Sequence, residues 1–105
     1  MIKEIDSAEL QQKLADGEEL LLLDIRSEAE LAQGVLPGAE FLPMHLIPVR
    51  MSEFPKDKEI VLYCRSGSMS TTAAETLVSL GYANVFEVDG GMRAWQAAGY
   101  ELLEQ

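Results

Sequence analysis

The chain has 105 residues, 18 acidic and 8 basic, for a formal net charge of −10 at pH 7 with its one histidine neutral. That balance argues against a nucleic-acid binder or a protein of anionic membrane surfaces, because such affinity rests on Lys and Arg displacing counterions. The 48% hydrophobic and 25% charged fractions are those of a globule, and a chain of this length is expected to form one domain over residues 1–105.

One cysteine, Cys64, and one histidine, His45, form neither an internal disulfide nor a zinc site, so no metal or other cofactor is expected. The first ten residues lack the apolar core of a signal peptide, and no apolar run approaches the ~18 residues of a membrane span. A cytoplasmic location is expected.

Residues 2–5 read as a short strand. Ser7–Ala15 follows with Ala8, Leu10 and Leu14 at helical spacing and Gly17 as its stop. Leu20–Asp24 is a continuous apolar strand, of the kind that parallel sheets cover on both faces. Ser27 with Glu30 three positions on is a capping box for a short helix ending near Gly34. Pro37-Gly38 marks a turn, 40–42 a short strand stopped by Pro43, and 46–54 a weak helix with Pro48 inside it. Residues 60–63 are a second fully apolar strand with Cys64 at its carboxyl end. After a glycine-containing loop, 71–80 places Ala73, Ala74, Leu77, Val78 and Leu80 along one helical side, and Gly81 ends it. Val85–Val88 is a strand, Gly90-Gly91 a turn, and 92–98 a helix carrying Trp95 and closed by Gly99. This alternation predicts an α/β fold: about five strands in a mostly parallel sheet, right-handed crossovers, and helices on both faces. In such sheets the ligand crevice lies outside the carboxyl ends of the strands, where Cys64 stands.

Chemistry concentrates in Val61-Leu-Tyr-Cys-Arg-Ser-Gly-Ser-Met-Ser70. A thiol between an apolar strand and a helix start meets inward backbone N–H groups and the positive end of the helix dipole, which favour a thiolate nucleophile. Cys64 is the candidate nucleophile, and Arg65, Ser66, Gly67, Ser68, Met69 and Ser70 are the candidate substrate-binding residues. Gly67 permits a positive backbone dihedral, and Met69 would make one wall apolar. From spacing alone, a buried structural cysteine stands as an equal alternative. Asp24 and Arg26 read as supporting residues, each pairing with the other's neighbours to fix the loop region. His45, Arg93 and Trp95 read as surface or packing residues rather than chemistry.

Four segments in order resemble the signatures of single-domain rhodaneses: Leu22-Leu-Asp-Ile-Arg26, Gly34-Val-Leu-Pro-Gly-Ala39, Tyr63-Cys-Arg-Ser-Gly67, and Asp89-Gly-Gly-Met-Arg-Ala-Trp95 followed by Gly99. The resemblance implies a five-stranded parallel α/β domain and a sulfurtransferase. In it, Cys64 would take a sulfane sulfur from thiosulfate or a persulfide and pass it, as a persulfide, to a thiol, cyanide or a protein acceptor. Two positions depart from the family pattern. Val35 stands where a histidine is common, and Met69 stands where many members carry a second arginine, which weakens the case for capturing dianionic thiosulfate. Two other readings compete. A cysteine phosphatase of related fold would need an arginine six positions after the cysteine, where this chain has Ser70. A sulfur-carrier or interaction module would keep Cys64 without turnover.

Overall fold

The computed structural model describes residues 2–54, 56–65 and 68–103. Within them, β1 (Lys3–Ile5), β2 (Leu20–Asp24), β3 (Glu40–Phe41), β4 (Glu59–Tyr63) and β5 (Val85–Val88) form one sheet, ordered β1-β5-β4-β2-β3 with every pair parallel. The helices are α1 (Ser7–Ala15), α2 (Ile47–Arg50), α3 (Ser68–Ser79) and α4 (Gly91–Ala97). No described helix is long and apolar enough to cross a membrane.

The apolar run of β4 follows from its place between β2 and β5, with Leu22 paired to Val61 and Val61 to Phe86. Both faces are covered, so side chains of either parity must be apolar. Ile60 and Leu62 pack with Ala73, Ala74 and Leu77 of α3, whereas Val61 and Tyr63 pack with Leu10 of α1 and with Met92 and Trp95 of α4. α1 begins where the Asp6 carboxylate accepts the Glu9 N–H at 2.7 Å, capping a donor that the helix itself leaves unsatisfied.

Several boundaries differ from expectation for local reasons. Glu30 accepts from Ser27 N–H and Oγ–H, at 3.3 and 3.0 Å, but the turn this opens, Glu28–Gln33, is 3₁₀ rather than α. The Arg26 guanidinium takes the Glu30 and Gly34 carbonyls at 3.4 and 2.7 Å, and Gly34 N–H bonds back only three residues, to Leu31. The stretch expected at 46–54 is helical from Met44 to Glu53, divided into Met44–Leu46, α2 and Met51–Glu53. Pro48 is the second residue of α2, where a missing N–H costs nothing, so it marks a start rather than a break. α3 begins at Ser68, three residues before the expected 71, and α4 at Gly91 rather than 92. Val35 exchanges two 2.8 Å backbone hydrogen bonds with Leu103, an antiparallel bridge that no sequence pattern announced.

Candidate active site

β4 delivers Cys64 directly after its last residue, at the carboxyl edge of the sheet. Its position is fixed from below by α4: Met92 N–H donates to the Cys64 carbonyl at 2.8 Å, and Arg93 N–H to the Arg65 carbonyl at 3.1 Å. First-turn donors that a helix cannot use internally thus hold the strand end. Such an approach leaves no room for a side chain at 91. A Cβ there would collide with the Cys64 carbonyl oxygen and stand 3.1 Å from Arg65, and Gly91 has φ +56°. This is the physical content of the Asp89-Gly-Gly segment.

The sulfur is buried, with Cys64 2% exposed, and its Sγ–H lies 3.6 Å from Ser70 Oγ. Ser70 is in the first turn of α3, so the positive end of a 12-residue helix lies against the thiol and favours negative charge there. Met69 and Ser70 are therefore helical rather than loop residues. Ser70 is fully buried, while Met69, 45% exposed, borders a cavity of about 810 Å³. Ile25, Phe41, Met44 and Leu46 give this cavity apolar walls, and Arg26, Glu28 and His45 add polar groups to its lining. Arg65 is exposed. Ser68 opens α3. Ser66 and Gly67, the other expected binding residues, lie outside the described residues.

Behind Ser70 stands a group the sequence reading missed. Ser70 Oγ–H donates to Glu87 Oε2 at 3.2 Å, and Thr71 Oγ1–H to the same oxygen at 2.7 Å. Glu87 is only 8% exposed. Its signal was an acid inside Val85–Val88, on the same face as buried Val85 and paired in register with Leu62.

Asp24 and Arg26 pair with each other rather than with each other's neighbours. Arg26 Nε donates to Asp24 Oδ1 at 2.9 Å and Nη2 to Oδ2 at 2.7 Å, and both residues are 1% exposed. The Tyr63 hydroxyl donates to Oδ2 at 2.7 Å and accepts Leu36 N–H at 3.2 Å, so the carboxylate knits β2, β4 and the 34–36 segment together. Burial opposes the charge on Arg26, but the bonds and attraction of Asp24 outweigh it and hold the guanidinium above its ordinary range. Burial first, then the Asp24 charge, push the Tyr63 hydroxyl well above the usual phenol. Although Arg26 borders the cavity, its charge is committed to Asp24. Arg93 and His45 are exposed, and Trp95 is buried with Nε1–H donating to the Glu101 carbonyl at 2.9 Å.

Residues 6–98 match the rhodanese-like domain family. Over 103 residues, 98% of this chain and 96% of the relative, the chain is 52% identical to a protein of Allochromatium vinosum named sulfurtransferase. It is 37% identical over 93 residues, 89% of each chain, to a protein of Pseudoalteromonas translucida named thiosulfate sulfurtransferase. Its fold matches the crystal structure of a rhodanese-related protein from Thermoplasma volcanium with a TM-score of 0.88 at 26% identity, covering 98% and 99% of the two chains. With the match running from α1 through α4, the chain belongs to the rhodanese-like domain family.

Proposed function

We propose that this protein is a rhodanese-type sulfurtransferase in which Cys64 carries the sulfur. The observation that carries the reading is the placement of the chain's sole thiol at the end of the central strand, against the first turn of α3 and one residue position from the wall of an open cavity. The Cys64 thiolate attacks the outer sulfur of the donor. The donor's S–S bond breaks, its electron pair leaving on a thiolate, or on sulfite when thiosulfate is the donor, and Cys64 is left as a persulfide. An acceptor thiolate or cyanide then attacks the outer sulfur, and the pair of the second S–S bond returns to Cys64. Arg65 and Met69 meet the donor, the α3 dipole stabilises the sulfur anion, and Asp24 with Arg26 holds the strand ends in place. Ser66, Gly67 and Ser68 belong to the same donor-binding segment. The mostly apolar cavity favours organic persulfides over a dianion. Donor and acceptor are small molecules or a protein thiol, the reaction needs no cofactor, and we place it in the cytoplasm.

Intact mass after incubation with thiosulfate, and separately with a low-molecular persulfide, tests the reading. One added sulfur atom is expected on the wild type, removed by cyanide or a thiol, and none on Cys64→Ala. Turnover retained by Cys64→Ala would refute the mechanism. Loading only from a partner protein would favour a carrier role.

A further inference from the structure

Three buried polar side chains that do not line the cavity touch in succession: Cys64 Sγ, Ser70 Oγ at 3.6 Å from it, and Glu87 Oε2 at 3.2 Å from that hydroxyl. They are 2%, 0% and 8% exposed, and they come from the end of β4, from α3 and from β5. Thr71 of α3 donates to the same Glu87 oxygen and fixes the carboxylate. Nothing in the sulfur-transfer chemistry above calls for a buried acid at this place, and an apolar residue would suit the strand better.

We propose that Glu87 is a positioning residue for Cys64 that acts through Ser70, setting which way the serine hydroxyl points and so whether it accepts from the thiol or donates to the sulfur anion. An ionised carboxylate only accepts hydrogen bonds. It therefore draws the Ser70 proton toward itself and leaves the serine oxygen to accept Sγ–H, an arrangement that fits the 3.2 and 3.6 Å contacts. The sulfur anion needs the reverse. When Cys64 gives its proton to Ser70 and Ser70 gives its own to Glu87, the carboxyl becomes the donor, the hydroxyl turns toward the sulfur, and the negative charge moves from Oε2 to Sγ. Proton count and net charge are unchanged, and no electrons are exchanged.

The groups facing Glu87 are few among the described residues. Ser70 and Thr71 come from α3, Leu62 is its register partner on β4, and Glu4, exposed, is its register partner on β1. Lys3 lies over Phe86, on the opposite face of the strand. The neighbouring charge that faces it is thus another carboxylate, which does not compete for the Ser70 hydroxyl as a donor.

This inference deepens the sulfur-transfer reading and rests on it for its catalytic meaning, but iodoacetamide probes the thiol without any sulfur donor. Glu87→Gln removes the charge that draws the Ser70 proton and adds an amide donor. Its Cys64 should alkylate about tenfold to a hundredfold faster than wild type near neutral pH, the ratio expected for reversing one charge-assisted hydrogen bond. The two rates should converge at alkaline pH, where both thiols are ionised. In a Ser70→Ala background the same substitution should have a much smaller effect, because the intermediary is gone, whereas Ser70→Thr should preserve it. Thermal unfolding and the alkylation rate in denaturant supply the unfolded reference. If Glu87→Gln fails to fold, Glu87→Leu removes the carboxylate on a strand that favours an apolar residue, and the same direction is expected. Alkylation at the wild-type rate or slower in a folded variant would overturn the proposal, as would an equal effect with and without the Ser70 hydroxyl. Sulfur loading measured on the same samples separates the two readings. If alkylation shifts as expected but even the wild type takes no sulfur, control by Glu87 stands and sulfur transfer fails. If the wild type loads sulfur and alkylation does not shift, control by Glu87 alone fails.

Discussion

Met69, half-exposed at the cavity edge, occupies the position where many rhodaneses carry a second arginine, and this single side chain bears on donor choice. Thiosulfate is a dianion approaching a protein of net charge −10, but charges beyond a Debye length of ~8 Å are screened at physiological salt, so local groups decide. Arg26 is bound to Asp24, which leaves exposed Arg65 and the α3 dipole to meet the anion. Met69→Arg is therefore expected to raise kcat/KM for thiosulfate about ten- to a hundredfold, the value of an added charge-assisted hydrogen bond, and to leave uncharged donors nearly unchanged. Steady-state assays with both donor types check this, and an unchanged thiosulfate rate in the folded variant would mean that residue 69 does not reach the anion. Cys64, Met69 and Ser70 were legible because they are contiguous and their chemistry is local. The Ser70–Glu87 bond was not, since it joins residues 17 apart through a packing of α3 on β5 that no spacing rule encodes.

At the scale of elements, the docking of α4 beneath the strand end makes the site depend on a glycine that never meets substrate. Gly91→Ala should force Cys64 and Arg65 away from α4 and cost about 1–3 kcal/mol for overpacking, in addition to about 1–2 kcal/mol for a side chain at positive φ. Gly17 is a matched control, because its φ is +70° but a Cβ there meets nothing within 4 Å, leaving only the second cost. Urea unfolding should rank wild type above Gly17→Ala and both above Gly91→Ala, and only Gly91→Ala should change the alkylation rate of folded Cys64. Equal behaviour of the two variants would mean that α4 gives way without moving the strand. Strands β2, β4 and β5 were legible because apolar runs between turn residues have few other readings. Helix starts were less so: α3 enters its first turn through Ser68, Met69 and Ser70, which carry no apolar periodicity, and Pro48 weakens the helical pattern of 46–54 although it stands in the first turn of α2.

For the whole molecule, the Tyr63–Asp24–Arg26 cluster ties the central strands to the 34–36 segment, and its buried hydroxyl gives stability a pH dependence with a definite sign. The Tyr63 hydroxyl is held protonated well above the ordinary phenol value of about 10, chiefly by burial and then by the Asp24 charge. A group whose folded value is raised contributes stability that is complete below its unfolded value and is lost as pH climbs toward the folded one. Above about pH 10 the unfolded chain releases the proton that the folded chain keeps, so stability falls by up to about 1.4 kcal/mol per pH unit from this group. Tyr63→Phe removes both the titration and the hydrogen bond to Asp24. At neutral pH the variant should be less stable by about 1–3 kcal/mol, because Asp24 loses one donor and the buried Leu36 N–H loses its acceptor. Between about pH 10 and 11.5 the gap should narrow, as wild type alone pays the tyrosine's alkaline cost. The two proteins differ at no other residue, so the difference isolates Tyr63. Urea unfolding of the pair across this range measures it. A gap that stays constant would mean that the folded protein gives up the Tyr63 proton as readily as the unfolded chain, and that the cluster's hold on the strand ends owes nothing to this hydroxyl's protonation.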